Sequence, residues 1–147
     1  GYALYGGQIE NDPLDSELLP AMQLNSRVLA VRPVKQGEAV GYGARWVAEK
    51  DSKIATIPVG YGDGYPRTTA GQTPEVFVRG RRVPLLGRVT MDQVMADLTD
   101  QPGCSPGDEV ELFGSRIPVT EVALKAGAIP WEILTGITPR VQRVYTK

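Results

Sequence analysis

The chain has 147 residues, of which 41% are hydrophobic and 22% charged, as expected for one soluble globular domain. Sixteen basic and seventeen acidic side chains give a net charge of −1, so the chain lacks the basic surplus with which nucleic-acid-binding proteins neutralise phosphates. It contains no histidine and one cysteine, which excludes histidine-based catalytic triads, histidine metal sites and thiolate zinc clusters. Acid–base chemistry would fall to Tyr, Lys, Asp or Glu.

The distribution of apolar residues gives an expectation for the compartment. No apolar run approaches the ~20 residues that span a bilayer, and no signal-peptide pattern opens the chain. The single cysteine, Cys104, cannot form an internal disulfide and points to no oxidising compartment. We therefore expect a cytoplasmic protein without membrane contact.

The first half of the chain predicts β-structure after an irregular start. Residues 1–7 resemble a short strand, and the polar, proline-containing residues 8–22 a linker. Residues 23–32 alternate loosely as one strand, followed by a turn at 33–38. Residues 53–59 are rich in β-branched side chains, and Pro58 predicts a strand near a sheet edge or a bulge.

The second half adds further strands and one helical pair. A hairpin around Gly80 is predicted from residues 75–78 and 82–86, and period-two alternation predicts strands at 93–98 and 109–113. Thr120 can cap a helix closed by Gly127, Pro130 can open a second helix, and 140–145 is predicted as strand. The predicted fold class is mainly β, a small Greek-key-like β-barrel with a short C-terminal helical pair.

Five segments carry a resemblance to a known family. They are GYALYG at 1–6, VGYG at 40–43, PVGYGDGYPR at 58–67, GRVTMDQ at 87–93 and RVQR at 140–143. In this order and spacing the chain resembles the C-terminal β-domain of alanine racemases, and the resemblance spans essentially its whole length. The resemblance implies that 1–22 is the end of a barrel region with its linker, and that 23–147 is the β-domain.

The resemblance also implies an enzyme and a cofactor. In this family a preceding (β/α)8 barrel binds pyridoxal 5'-phosphate (PLP) through a lysine that lies upstream of residue 1. The enzyme interconverts L- and D-alanine for peptidoglycan precursors and works as a homodimer. The chain is therefore expected to be inactive by itself, with the barrel domain, a second subunit and alanine as its partners.

The roles implied for individual residues follow from the matching motifs. Tyr42 is the expected second catalytic base, acting in the partner subunit's site; because a tyrosine pKa lies near 10, its activation must come from the assembled site. Substrate contacts are implied for Met91 and Tyr61. Further roles are implied for residues lining the substrate corridor, namely Arg67, Arg88, Asp92 and Ile129, and for cofactor contacts, namely Gly1, Tyr2 and Trp131.

Several alternatives stay open from the residues themselves. Tyr42 and Met91 could be ordinary packing residues of a barrel, and Arg67 a solvated surface charge. Many relatives have tyrosine where Trp131 stands, and an indole can donate but not accept a hydrogen bond, which puts its phosphate contact in question. The substrate could be serine or another small amino acid. A non-enzymatic small β-barrel that binds nucleic acid or another protein is the second class of function.

Overall fold

The computed structural model describes residues 1–6, 18–69 and 71–146, apart from the side chain of Tyr2. Three short 3₁₀ helices lie at Tyr2–Tyr5, Tyr42–Ala44 and Tyr61–Asp63. The other elements of the described residues are nine strands and two helices: β1 (Leu24–Arg27), β2 (Ala30–Val34), β3 (Ala39–Val40), β4 (Trp46–Val47), β5 (Ser52–Ile57), β6 (Glu75–Val78), β7 (Arg81–Leu86), β8 (Val94–Asp97), β9 (Glu109–Phe113), α1 (Val119–Ala126) and α2 (Pro130–Gly136).

Seven of these strands form one curled antiparallel sheet. Their order is β1-β9-β6-β7-β8-β5-β2, while β3 and β4 pair separately. Strands β1 and β2 are separated by only two residues, yet they lie at opposite ends of this order, so the sheet must curl to bring its edges together. At the junction, the Val28 amide donates to the Asp108 carbonyl and the Leu29 amide to the Thr56 carbonyl, each at 2.8 Å. The predicted mainly β fold with a helical pair is confirmed as a half-barrel.

The core follows from side-chain alternation along the strands. In β6, Val76 and Val78 are buried while their neighbours are half-buried, and β8 repeats the pattern with Val94 and Ala96. β9 is buried along most of its length, including Glu111. The Glu111 carboxylate accepts hydrogen bonds from the backbone amides of residues 116 and 117 and from the Gln23 side chain, which compensates its burial.

Several predicted elements are confirmed. The hairpin turns at Arg79 and Gly80, whose φ values of 46° and 83° are the left-handed pair of a type I′ turn. Gly127, with φ of 67°, closes α1 as predicted. Pro130 opens α2, where the Ile129 amide donates to the Glu132 carboxylate at 3.1 Å. The strands at 94–97 and 109–113 lie where alternation placed them.

The chain start and the long first strand were predicted wrongly. Residues 2–5 form a 3₁₀ helix rather than a strand, and Gly6 closes it with φ of 73°. Residue 7 of that predicted strand and residues 8–17 of the predicted linker lie outside the described residues. The predicted strand at 23–32 is two strands, because residues 28 and 29 turn the chain from one sheet edge to the other. β2 then continues through Pro33, which is tolerated on an edge strand.

Two further predictions were wrong, whereas the strand before Pro58 lies near a sheet edge as predicted. β5 lies next to the edge strand β2 and ends at Ile57, so Pro58 follows the strand. Helix α1 begins at Val119, so Thr120 lies inside it rather than capping it. Residues 140–146 contain no strand, because the Arg143 guanidinium donates to the carbonyls of Ile137, Thr138 and Val141 and folds this segment into a turn.

Charged side chains tie α1 to the β6–β7 hairpin. Glu121 accepts from Arg82 and from Lys125, each at 2.8 Å, and Glu75 lies within 3.7 Å of both cations. No helix in the described ranges is long and apolar enough to cross a bilayer.

Candidate functional site

One cleft of the described structure collects most of the predicted site residues. It has a volume of about 720 Å³ and is formed by the β3–β4 connection, the 3₁₀ turn after β5 and the loop between β7 and β8. Six predicted residues line it: Tyr42, Tyr61, Arg67, Arg88, Met91 and Asp92. The others that line it are Gly41, Val89, Thr90, Gln93 and Met95.

Tyr42 projects from this cleft into solvent. It begins a 3₁₀ turn between Gly41 and Gly43, whose φ values of 79° and 74° are accessible to glycine at little cost. This tight turn leaves the Tyr42 side chain 78% exposed. Large apolar side chains that pack a barrel core are buried, so the interpretation of Tyr42 as a packing residue is wrong.

The segment that carries Tyr61 is fastened to the segment that carries Met91 by main-chain hydrogen bonds. The Tyr61 amide donates to the Thr90 carbonyl at 3.0 Å, and the Gly62 amide donates to the Met91 carbonyl at 2.9 Å. Gly60 allows this approach, since a Cβ atom there would collide with the carbonyls of residues 90 and 91. Tyr61 and Met91 are thereby placed on one wall of the cleft, 46% and 51% exposed.

A small turn holds Met91 and Asp92 at its tip. The Thr90 hydroxyl donates to the Gln93 carbonyl at 2.8 Å and accepts from the Gln93 amide at 3.1 Å. The Thr90 amide also donates to the Gln93 carbonyl at 3.0 Å. The turn is therefore fixed from both sides, and the half-exposed Met91 is a presented side chain, so its alternative interpretation as a core methionine is wrong.

The charges of the cleft are unevenly paired. Within the described ranges neither Arg67 nor Arg88 has a carboxylate within ion-pair distance, so both guanidinium groups are available to an anionic ligand. The Asp92 carboxylate, in contrast, accepts a hydrogen bond from Arg140 at 2.7 Å. The Arg140 pKa is raised, first by this hydrogen bond and then by the charge of Asp63.

Four predicted residues do not line the cleft. Ile129 and Trp131 are exposed at the start of α2, and Gly1 and Tyr2 belong to the first 3₁₀ turn. The two elements are nevertheless neighbours, because Tyr5 and Gly6 line a groove of about 260 Å³ together with Leu134 of α2. This groove is separate from the cleft of Tyr42, and Gly1, Ile129 and Trp131 do not line it.

Residues with no predicted role complete the site. Arg140 was part of a quoted motif, but its link to Asp92 could not be read from spacing alone. Thr90 and Gln93 form the turn that presents Met91. The sequence signal for this turn is the threonine, whose hydroxyl can bond to the backbone of a nearby residue. No lysine lines the cleft, and in the part of the chain that is described no three His, Cys, Asp or Glu side chains form a group that could hold a metal.

Comparison with known proteins gives one family. Residues 21–145 match the sequence model described as "Alanine racemase, C-terminal domain". The chain is 49% identical over 145 residues to the alanine racemase of Alteromonas mediterranea, covering 98% of this chain and 40% of that protein.

Solved structures agree in fold. The biosynthetic alanine racemase of Pseudomonas aeruginosa superposes with a TM-score of 0.92 at 44% identity, over 100% of this chain and 41% of that one. The alanine racemase of Bartonella henselae, solved with covalently bound pyridoxal phosphate, matches with a TM-score of 0.88 at 33% identity, over 99% and 40% of the two chains. The chain thus spans about two fifths of the length of the relatives that it matches.

Proposed function

The chain belongs to the family of alanine racemase C-terminal domains, and from this premise we propose that it forms part of a PLP-dependent enzyme that interconverts L- and D-alanine. The product D-alanine would supply peptidoglycan precursors in the cytoplasm. Residues 1–22 are the end of the preceding barrel region and a linker, and residues 23–147 are the β-domain. The 147-residue chain is inactive without the barrel.

The observation that carries this proposal is the shared cleft of Tyr42 and Met91. Tyr42 is 78% exposed and Met91 51% exposed, although both side chains are large and mainly apolar. Exposed side chains of this kind around one cleft are typical of a surface that another protein covers. We infer that the barrel of a second subunit covers it in a homodimer.

Racemisation explains why a tyrosine is needed at this surface. One proton must leave Cα from one face and another must arrive on the opposite face, so two proton carriers have to flank the substrate. When bound, PLP stabilises the negative charge left on Cα after proton removal. The family resemblance supports a cofactor lysine in the barrel as one carrier, and the exposed Tyr42 hydroxyl at the cleft as the other.

The other residues of the cleft bind and orient the substrate. The Met91 turn contacts the substrate carboxylate, and Tyr61 lies beside the reacting group. Arg67, Arg88 and Asp92 of the cleft, together with Ile129 outside it at the start of α2, line the corridor through which alanine enters. The guanidinium groups of Arg67 and Arg88, which lack a carboxylate partner in the described chain, attract the anionic end of alanine.

The cofactor phosphate would be held at the first 3₁₀ turn, away from the cleft of Tyr42. The first 3₁₀ turn presents backbone amides that lack helical partners, and such amides favour an anion, so the amides of Gly1 and Tyr2 fit a phosphate. Trp131, at the start of the helix whose Leu134 lines the neighbouring groove, would be the third cofactor contact. These groups fit only part of the cofactor, so the barrel must supply the remaining contacts.

The test is racemisation by the full-length protein that contains this chain. With PLP added, we expect interconversion of L- and D-alanine and loss of most of that rate in Tyr42→Phe with PLP still bound. Serine and other small amino acids assayed in parallel decide the substrate. Bound PLP without racemisation of any small amino acid would refute the proposed reaction, and a protein that binds no PLP would favour a non-enzymatic binding module.

A further inference from the structure

We propose that Arg140 is a positioning residue that sets the geometry of Tyr61 and Met91 in the cleft. The inference rests on the proposed function, because it assigns a role in the same site. Arg140 lies after α2, far in sequence from both loops that it joins. It does not itself line the cleft, so its effect on substrate must pass through the loops.

The guanidinium of Arg140 bridges the two loops through their carboxylates. Its Nε lies 3.3 Å from Oδ1 of Asp63, and its Nη2 donates to Oδ1 of Asp92 at 2.7 Å. Asp63 follows Tyr61 in one loop, and Asp92 follows Met91 in the other. One side chain therefore holds both loops by residues one or two positions after the substrate-contacting residues.

Asp63 transmits the position of Arg140 to the backbone of its loop. The other carboxylate oxygen of Asp63 accepts from the Gly60 amide at 2.9 Å, and the Asp63 amide donates to the Gly60 carbonyl at 3.0 Å. Asp63 is only 16% exposed, so its orientation is fixed by these contacts. A shift of the guanidinium would move the turn on which Tyr61 lies.

The absence of a side chain at Gly62 makes the bridge possible. A Cβ atom at this position would collide with Nη1 of Arg140 and would lie 3.2 Å from Cγ of Met91. The guanidinium therefore packs over the backbone of residue 62, whose amide donates to the Met91 carbonyl. Arg140 covers the point at which the two loops are joined.

The segment that carries Arg140 is itself held in place. Thr138 donates from its amide to the Asp63 carbonyl and from its hydroxyl to the Gly62 carbonyl, each at 3.0 Å. Arg143 donates to the carbonyls of Ile137, Thr138 and Val141. The anchor is thus formed by the turn after α2, and Arg140 extends it to the Asp92 loop.

Exposed ion pairs usually contribute little to global stability, and Arg140 is half-exposed. The proposal therefore predicts a local effect on the two loops with a small effect on the melting temperature. In the assembled enzyme, where a second protein covers the cleft, the exclusion of water would strengthen the same contacts.

The first measurement is hydrogen–deuterium exchange on the full-length protein loaded with PLP, for Arg140→Met and wild type. Peptides that contain residues 60–64 should exchange at least about tenfold faster in Arg140→Met, because the Tyr61 and Gly62 amides lose their fixed acceptors. Arg79→Met is the matched control, since Arg79 is 51% exposed, pairs with Asp108 and does not line the cleft. It should leave this peptide unchanged.

The second measurement is the alanine kinetics of the same proteins. Arg140→Met should raise KM by about tenfold with a smaller change in kcat and with unchanged PLP content, as expected when substrate contacts are misplaced. Arg140→Lys, which keeps one charge but cannot bridge both carboxylates in the same way, should be intermediate. Arg79→Met should match wild type.

The outcomes separate this inference from the proposed function. Unchanged exchange at 60–64 in Arg140→Met overturns the positioning role, and so does faster exchange with unchanged KM. If wild type racemises nothing, the proposed function fails, while the exchange result still decides whether Arg140 holds the loops. If Arg140→Met does not fold, Asp92→Asn, which removes one arm of the bridge, must show the same change with smaller size, and its absence overturns the proposal.

Discussion

The backbone amide of Gly62 donates to the carbonyl of Met91 at 2.9 Å, and this bond joins the two most recognisable segments of the sequence. Together with the bond from Tyr61 to Thr90, it means that the wall of the cleft is built from main-chain contacts. Side chains on this wall are therefore placed by glycines that allow two backbones to approach, more than by packing of the side chains themselves.

Substitution Gly60→Ala should disrupt this junction. The new Cβ atom would overlap the backbone carbonyls of Thr90 and Met91, which cannot move aside as a flexible side chain can. We expect a loss of about 1–3 kcal/mol in the free energy of unfolding of the chain, measured by urea denaturation. In the full-length enzyme, kcat/KM for alanine should also fall.

Gly136→Ala is the matched control for this change. Gly136 ends α2, and a Cβ atom there would meet no atom within 4 Å. The free energy of unfolding of Gly136→Ala should equal that of wild type or exceed it by up to about 1 kcal/mol, since alanine favours a helix. If Gly60→Ala is as stable as wild type, the backbone of residue 60 does not lie in close contact with the carbonyls of Thr90 and Met91.

The sequence predicted much of the fold because alternation and turn residues carry that information locally. The hairpin was predictable because Gly80 favours the left-handed conformation that its turn requires. The end of α1 was predictable for the same reason at Gly127. The split of the first long strand could not be predicted, because it depends on the curl of the whole sheet. The lack of a strand at 140–146 was not predicted, because the Arg143 side chain binds the carbonyls of residues 137, 138 and 141, a contact that no periodicity signals.

The candidate site also contains residues that the sequence could predict and contacts that it could not. Six residues taken from the family resemblance line one cleft, which a single sequence without that resemblance would not have indicated. The bridge from Arg140 to Asp63 and Asp92 could not be predicted, because the three residues lie in different loops. Sequence spacing says nothing about which charges meet when the chain folds.

Tyr65 provides a test of the core beside the site. Its side chain is fully buried, and its hydroxyl has no hydrogen-bond partner among the described residues. Burial, and then the charge of Glu121, raise the pKa of this phenol well above its ordinary value, so it stays neutral. Because a buried hydroxyl without a partner costs stability, Tyr65→Phe should leave the free energy of unfolding unchanged or raise it by about 1 kcal/mol.

The control for this substitution is Tyr145→Phe, at an exposed position near the C-terminus. It should leave the unfolding curve unchanged. A loss of more than about 1 kcal/mol in Tyr65→Phe would mean that the hydroxyl does have a partner in the folded protein.

Glu121 gives a prediction about pH. Burial acts to raise the pKa of this carboxyl, but hydrogen bonds and charges from Lys125 and Arg82 outweigh it and hold the pKa below the ordinary value of 4.5. A depressed pKa in the folded state stabilises the fold above the unfolded-state pKa, and the contribution is lost as pH falls through the folded-state pKa. At pH 7, Glu121→Gln should therefore cost about 1 kcal/mol, discounted because Arg82 is partly exposed.

Urea denaturation of both proteins from pH 7 to pH 3 measures this effect. The difference in unfolding free energy between wild type and Glu121→Gln should be full at pH 7 and shrink below about pH 4.5. Glu109→Gln, at an exposed position of β9 without an ion pair in the described chain, is the control. A difference that grows on acidification would contradict the assigned contacts.

The central claim, that Tyr42 acts in the site of the partner subunit, is tested most directly by mixing two inactive full-length variants. One carries Tyr42→Phe and the other lacks the upstream cofactor lysine. If Tyr42 acts across the dimer, a mixed dimer has one intact site, and random mixing of equal amounts should restore about a quarter of wild-type racemisation, because half of the dimers are mixed. If the mixture stays as inactive as its components although mixed dimers form, Tyr42 and the lysine serve the same subunit's site and the claim is wrong.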